Sequence, residues 1–512
     1  MRYLVTGKEM KLLDQNTSCH FKVPELVLME QAAMQFVWRL CDILDEKAVK
    51  KKRKGIVFCG LGNNGADGIA IARLLNEKGI CTEICKVQDL LMEKGMTSAS
   101  YQVQEEIYQR YEYPVRTDMM TIAEEEYDFV IDAIFGVGLS RPLNEEYIRI
   151  IQHIQEMKGL KIAVDMPSGV NADNGQVMGV ALKCDATITF SYAKLGLHVW
   201  PGYEYAGDVY VQNIGITNAS WLEEGPKFAY LEKEDLLLLP KRPAHSNKGT
   251  FGKLLVIAGS VNMAGAAIFA AKAAYRCGVG LVKVFTPEEN RVIIQETFPE
   301  ALVSTYRDDV KQSQLMADIE WADAIVIGPG LGQSEQAKEI VEIVHRTAQI
   351  PVVWDADALN IFAMHMDVLL KPHGDYIFTP HVGEFARLVN QSVLWVQNHF
   401  VEAAVSFAEK YDLVCVLKDA HTISANPCGM SMLNLSGNNG MATGGSGDVL
   451  TGVIGALLVQ GINAIESAAF GVYIHGLAGD VAREKMGNHS MMASDIMESL
   501  KDVWKGIDYA EY

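Results

Sequence analysis

The stretch with the most chemistry in this chain is Gly437-Asn438-Asn439-Gly440-Met441-Ala442-Thr443-Gly444-Gly445-Ser446-Gly447-Asp448, which runs into the apolar Val449-Leu450-Thr451-Gly452-Val453-Ile454. Glycines let successive backbone N–H groups point at one anion, and a helix start adds about half a positive charge there. Asp448 opens that helix and can act as a base towards a substrate hydroxyl. A glycine-rich turn capped by Asp448 is the plainer alternative. The dipole of the helix start predicts that Asp448 is ionised at neutral pH.

Other strand ends in the same half fit a nucleotide site. Lys418-Asp419-Ala420-His421-Thr422 places a cation before a small polar loop, and Thr379-Pro380-His381-Val382-Gly383-Glu384 brings an imidazole and a carboxylate to another strand end. Gly328-Pro329-Gly330-Leu331-Gly332 is a third ligand-facing turn. Asp355-Ala356-Asp357 offers paired carboxylates for a divalent ion or a helix cap. No G-x-x-x-x-G-K-[ST] sequence occurs, which excludes a P-loop enzyme, and no H-E-x-x-H or cysteine cluster argues for zinc.

The N-terminal half carries a second constellation. Gly60-Leu61-Gly62-Asn63-Asn64-Gly65-Ala66-Asp67-Gly68 contains a literal G-x-G-x-x-G, a weak signal alone, and its tandem asparagines suit polar ligands, a hard cation or a tight turn. The runs from Asp132 to Pro142 and from Asp165 to Gly169 each place a carboxylate at a strand end before glycine. Either aspartate alone is a helix cap or turn former as readily as a site residue. Three polar strand ends in one parallel sheet converge on one edge and together favour a site.

These residues need elements to hold them. Apolar spacing predicts a helix over 25–45, with Leu26, Met29, Ala33, Phe36, Val37 and Leu40 on one face, serving its own core or a subunit contact. Strands are expected over 55–59, 80–87, 127–134, 160–165 and 186–190. A loop is expected over 60–68, with a helix from Ile69 to Lys78. The basic run Lys50–Lys54 reads as a solvated loop. Polar, irregular sequence near residue 222 suggests a domain boundary. A second alternation follows, with strands over 253–259, 324–328, 351–355, 376–380 and 413–418 and an alanine-rich helix over 264–277. Apolar strands separated by helices imply parallel sheets buried on both faces.

Composition is that of a soluble globular protein: 512 residues, 49% hydrophobic and 21% charged. A net charge of −19 argues against nucleic acid and anionic membrane partners. Nine scattered cysteines read as reduced thiols, and neither a signal peptide nor a membrane span is visible, so a cytoplasmic location is expected.

Over about residues 1–220, the three N-terminal blocks resemble the NAD(P)H-hydrate epimerase (YjeF N-terminal) domain. The resemblance implies a Rossmann-like three-layer sandwich that interconverts the R and S forms of hydrated NADH and NADPH. It implies a potassium ion held by Asn64, Asp132 and Ser168. Substrate contacts would come from Asn63, Asn64, Gly65, Ala66 and Asp67 and from Gly136, Val137, Gly138, Leu139, Ser140, Arg141 and Pro142. Asp165 would be the acid/base group, with Lys194 a further candidate. The family usually has a second glycine where this chain has Ala66.

Over about residues 225–510, the lysine strand, the glycine-rich anion hole and Asp448 resemble the ribokinase superfamily. More narrowly they resemble the ADP/ATP-dependent NAD(P)H-hydrate dehydratase domain, a match extended by Ala264-Gly265-Ala266, Gly278–Val282 and Ala493–Ile496. That resemblance implies ligand contacts from Ala266, Gly330, His381, Lys418, Asp419, Ala420, His421, Thr422, Gly445, Ser446 and Gly447, Mg2+ carried with ADP or ATP, and Asp448 as catalytic base. Glycine is common in the family where this chain has Asp419.

The expectation is an α/β protein of two domains: residues 1–222 an epimerase, residues 223–512 an ADP-dependent ribokinase-like dehydratase. Its substrates would be the hydrates NADHX and NADPHX, and it would form a homo-oligomer. The rivals are a ribokinase-superfamily vitamin or sugar kinase with an accessory domain, and a non-catalytic nucleotide sensor.

Overall fold

The computed structural model describes residues 1–47, 53–91, 95–118, 122, 125–307, 309–364 and 374–509. The chain forms two compact units, Tyr3–Phe228 and Ala229–Tyr512 with Met1–Arg2. Of the basic run, residues 50–52 lie outside the described residues, while Arg53 and Lys54 lead into a strand. No helix among the described residues is long and apolar enough to cross a membrane.

In the first unit a parallel sheet runs in the order Val115–Arg116, Cys81–Lys86, Lys54–Cys59, Phe129–Ala133, Leu160–Val164, Ala186–Phe190, Asp208–Gln212. The strands are apolar throughout because each side of the sheet is covered. Val57, Cys59, Phe129, Ile131 and Val164 pack with helix residues such as Phe36, Val37, Leu40, Ile69 and Tyr101. Their sequence neighbours Ile56, Phe58, Val130 and Ala163 point the other way, onto Ile150, Ile151 and Ile154 of helix Glu145–Glu156. The helix expected over 25–45 spans Glu25–Glu46; its buried stripe takes in Leu28 and Ala32, whereas Leu26 is exposed.

The glycine-rich stretch differs from the loop expected there. The helix spans Asn63–Glu77, capped by the extended Gly62, so Asn63 to Gly68 are its first turns rather than a loop before Ile69. Glycine makes this early start possible. A Cβ on Gly65 would lie 1.9 Å from the Gly60 carbonyl oxygen, and one on Gly68 would lie 2.5 Å from the Ala133 Cβ. The helix start therefore presses directly onto two strand ends.

Residues 1–20 also fold. Thr6 caps helix Gly7–Gln15 in a capping box: its Oγ1 accepts from the Glu9 N–H (3.1 Å), and the Glu9 carboxylate accepts from the Thr6 N–H (2.8 Å). Just before it, Leu4 and Val5 pair in parallel with Ala193 and Lys194.

The second unit has its own parallel sheet, in the order Leu302–Tyr306, Leu281–Pro287, Lys253–Ile257, Ala324–Ile327, Val352–Trp354, Tyr376–Phe378, Val414–Leu417. It is extended by antiparallel Ile423–Ala425 and Ser431–Leu433. The alanine-rich helix spans Ala264–Arg276, and helix Ser446–Leu458 packs on it. Small residues let these helices meet backbone to backbone: a Cβ on Gly452 would lie 2.1 Å from the Ala270 carbonyl oxygen.

Gly452→Ala is therefore expected to force the two helices apart, at a cost of about 1–3 kcal/mol, the usual range for overpacking. Differential scanning calorimetry should show the transition of this unit moving to lower temperature. An unchanged transition would mean that the helices are not in close contact.

Candidate functional sites

The first unit encloses a cleft of about 1150 Å³ at the C-terminal ends of its strands. Asn63, Asn64 and Asp67 line it, as do all residues from Gly136 to Pro142, Asp165 and Lys194. Gly65 and Ala66 sit behind the wall; the Ala66 methyl is fully buried in the core between helix and sheet.

Asp132 is the penultimate residue of the strand Phe129–Ala133 and is fully buried. Its carboxylate accepts from Ser168 Oγ (2.5 Å), from the Ser168 N–H (2.7 Å) and from the Ile134 N–H (3.2 Å). Burial pushes its pKa up to about 6, against the pull of those hydrogen bonds. No cationic side chain among the described residues pairs with it. Asn64 Nδ2 is buried with no partner among the described residues. An ionised Asp132 together with Asn64 and Ser168 oxygens is a donor set for a hard monovalent cation, and burial leaves the carboxylate in need of one.

Asp165 follows the next strand with φ of +68°, a conformation that costs a non-glycine residue energy and is held by its surroundings. Lys194, with no exposed surface, donates to Asp165 Oδ1 (2.5 Å), Thr189 Oγ1 (3.0 Å) and the Phe190 carbonyl (3.0 Å). Thr189 Oγ1 and the Phe190 N–H also donate to Asp165 Oδ1, at 2.9 and 3.3 Å. Removing either charge would leave the other buried and unpaired, at a typical cost of about 3–5 kcal/mol.

Three charged lining residues escape the sequence reading: Lys11 and Asp14 on helix Gly7–Gln15, and Glu25 at the start of the next helix. Burial raises the Asp14 pKa to about 7; Lys194 pulls it down, while Asp165 and Glu25 push it up. Burial, then Asp165, Asp14 and Glu25, hold Asp67 well above the usual carboxylate range. The signal that would have found this helix is Thr6-Gly7-Lys8-Glu9, a capping-box sequence.

In the second unit, Gly445 has φ of +94° and caps helix Ser446–Leu458; the Ser446 N–H donates to the Thr443 carbonyl (3.3 Å), so the N–H groups of Gly447 and Asp448 form its open N-terminus. Ser446 is buried, its Oγ 3.4 Å from His475 Nε2, and burial lowers the His475 pKa to about 4, leaving the imidazole neutral. Lys418 Nζ donates to the buried Asp355 Oδ1 (2.8 Å), which also accepts from Thr379 Oγ1 (2.8 Å). A Cβ on Gly447 would stand 3.4 Å from Lys418 Nζ, so the lysine lies beside the helix start.

The predicted residues from other strand ends gather here in part. Gly330 has φ of +59°, and a Cβ on it would be 2.9 Å from the Ala266 Cβ. The Gly332 N–H donates to Asp357 (2.8 Å), so the two aspartates at 355 and 357 have separate partners. His381 caps its helix: Nδ1 accepts from the Gly383 and Glu384 N–H groups, at 3.0 and 3.4 Å. Burial, then Lys418 and Arg387, lower its pKa. Asp419 and Ala420 are exposed and His421 half-buried, while the buried Thr422 donates to the Asp419 carbonyl. The described residues hold no group of three histidine, cysteine or acidic side chains arranged to bind a metal.

Asp448 does not behave as the helix dipole alone predicts. Burial first, and then the neighbouring Asp355 and Asp357, raise its pKa to about 7, and Lys418 only partly offsets them. The dipole contribution, typically 0.3–1 kcal/mol, is smaller than desolvation together with two like charges.

The family described as NAD(P)H-hydrate dehydratase matches residues 254–502, and that described as YjeF-related protein N-terminus matches residues 25–196. Curated relatives include the bifunctional NAD(P)H-hydrate repair enzyme of Thermofilum pendens, 36% identical over 96% of this chain and 94% of that protein. The enzyme of the same name from Moorella thermoacetica is 33% identical over 99% of this chain and 97% of that one. Among solved structures, a ribokinase-like superfamily protein from Enterococcus faecalis covers 55% of this chain and 96% of its own, with TM-score 0.50 and 29% identity.

The environment of Asp448 makes a direct prediction. Its carboxyl should titrate near pH 7 by carbon-13 NMR of labelled aspartate. Asp355→Asn should move the midpoint down, because a like charge is removed and Lys418 is released. A midpoint below 5 in the parent would contradict the arrangement.

Proposed function

The chain belongs to the family of bifunctional NAD(P)H-hydrate repair enzymes, and on that premise we propose how its two sites divide the work. The cleft of the first unit takes the hydrated cofactor and interconverts the R and S forms at the ring carbon bearing the hydroxyl. The glycine-rich helix start of the second unit takes ADP or ATP and removes water from the S form.

In the second unit, Asp448 accepts the proton of the ring hydroxyl. The freed oxygen attacks the terminal phosphate, whose bond to the rest of the nucleotide breaks. The backbone N–H groups at Gly447 and Asp448 and the Lys418 ammonium stabilise the transferring charge. Phosphate then leaves the ring carbon with its electron pair, a proton is lost from the adjacent carbon, and the double bond of NADH or NADPH is restored. The observation that carries this reading is the proton affinity of Asp448, near neutrality, in the first turn of that helix. A base is most effective when its pKa lies near the working pH. Mg2+ would arrive with the nucleotide, held by its phosphate oxygens, and would offset their charge.

In the first unit Asp165 is the acid/base residue, and the Lys194 ammonium, donating to its Oδ1, holds it oriented. Asn64, Asp132 and Ser168 would hold potassium, which supplies a fixed positive charge beside the substrate cleft. A vitamin or sugar kinase would use the same Asp448 and Lys418 but has no need of the Asp165–Lys194 cleft, which favours repair.

Asp165→Asn is expected to abolish epimerisation and leave turnover of the S form intact. Asp448→Asn is expected to do the reverse, losing about 10²–10⁴-fold in dehydration while still binding nucleotide. Chromatographic separation of R and S hydrates over time reads both. Loss of both activities in one variant would contradict the division. A rubidium- or thallium-soaked crystal should show an anomalous peak within coordination distance of Asp132, and no peak there would remove the cation.

A further inference from the structure

Epimerisation at a carbon that carries both a hydroxyl and a ring nitrogen needs two proton carriers. One must help the hydroxyl leave, and the other must take the proton of the water that returns on the other face. Asp165, ion-paired with Lys194, is one of them. Resting on the epimerase reading above, we propose that Asp14, on the N-terminal helix Gly7–Gln15, is the second catalytic group of the cleft, the acid that protonates the departing hydroxyl.

The placement supports this. Asp14 lines the cleft with Asp165 and Lys194 but comes from a different element, so two carboxyl groups reach one substrate from two supports. One turn earlier, on the same helix, Lys11 faces the Gly136–Pro142 block: a Cβ on Gly138 would lie 3.9 Å from Lys11 Nζ. Arg141 belongs to that block and also lines the cleft. The positive charges at this end suit the phosphates of the cofactor. The ring is then directed towards the end holding Asp14, Asp67 and Asp165. The charged groups facing Asp14 are Lys194 from the sheet edge, Asp165 from its strand end, Glu25 from the following helix and Asp67 from helix Asn63–Glu77. Burial, and then the Asp165 and Glu25 carboxylates against the one Lys194 ammonium, favour a proton on Asp14, consistent with its position near neutrality. Asp67, raised above the usual carboxylate range by burial first and then by Asp165, Asp14 and Glu25, lies on helix Asn63–Glu77.

The step balances. Asp14 gives its proton to the ring hydroxyl. The carbon–oxygen bond breaks with its electron pair on the departing water, and the nitrogen lone pair forms a carbon–nitrogen double bond. Water adds to the other face through an oxygen lone pair, and the electrons of the carbon–nitrogen double bond return to nitrogen. The proton lost from that water goes to Asp165. Transfer of one proton from Asp165 back to Asp14 restores the enzyme, and the reverse reaction runs the same steps backwards.

The test uses the full chain with the separated R hydrate of NADH and no nucleotide, following the appearance of S by chromatography across pH 5.5–9 in roughly half-unit steps chosen to bracket the Asp14 titration. The parent should show kcat/KM falling as pH rises through about 7, where Asp14 loses its proton. Asp14→Asn should lower kcat about 10²–10⁴-fold, remove that fall and leave hydrate affinity by calorimetry within about threefold. Asp14→Glu, which restores a carboxyl, should recover part of the rate and the pH dependence. Asp14→Asn turnover within a few-fold of the parent, or lost hydrate affinity in both variants, would overturn the assignment. A parent that never forms S from R would instead overturn the epimerase reading itself.

Discussion

At Gly65 and at Gly452 a helix lies so close to neighbouring backbone that no side chain fits between them. At Gly65 the contact holds a helix start against the C-terminal edge of a parallel sheet, where the ligand-facing residues of this fold class gather, and at Gly452 it holds helix Ser446–Leu458 against helix Ala264–Arg276. In the first unit the contact sets Asn63, Asn64 and Asp67 along the cleft and turns the Ala66 methyl into the core. An alanine is accommodated at position 66 because its Cβ is buried in the core behind the cleft wall. In the second unit the contact fixes the helix whose first turn carries Ser446, Gly447 and Asp448.

Close packing has an electrostatic consequence. The same burial that orders the carboxyl groups also removes their water. Asp132, Asp14 and Asp448 are driven towards neutrality, each balanced differently: by hydroxyl and amide donors, by Lys194 at longer range, and by Lys418. Proton affinities near pH 7 are what acid–base chemistry on a neutral hydroxyl requires. Each site also sets a lysine against a buried aspartate, Lys194 on Asp165 and Lys418 on Asp355, so that a positive charge stands at a fixed place beside each set of carboxyls.

Much of this was legible in the residues. The apolar strands followed by glycine and a carboxylate point to parallel sheets with sites at one edge, and the motif density around Gly444–Asp448 marks the glycine-rich helix start of the second unit. The beginning of the helix at Asn63 was less legible, because glycine is normally a poor helix former and only its contact with Gly60 explains its place in the first turn. Helix Gly7–Gln15 lies in a stretch of mixed charge with a single short cue, the Thr6–Glu9 capping box, so Lys11 and Asp14 gave no sign of facing a cleft. The protonation of Asp448 could not be read locally. The groups that oppose its ionisation, Asp355 and Asp357, come from a strand end far away in the chain.

One chain carries both halves of the repair. The direct measurement is the yield of reduced cofactor from an equal mixture of R and S hydrates, with nucleotide in excess and the unmodified protein as sole catalyst. Two linked sites predict complete conversion in two phases, the second limited by return of R to S. Conversion that stops once the S form is consumed, or that never begins, would contradict it.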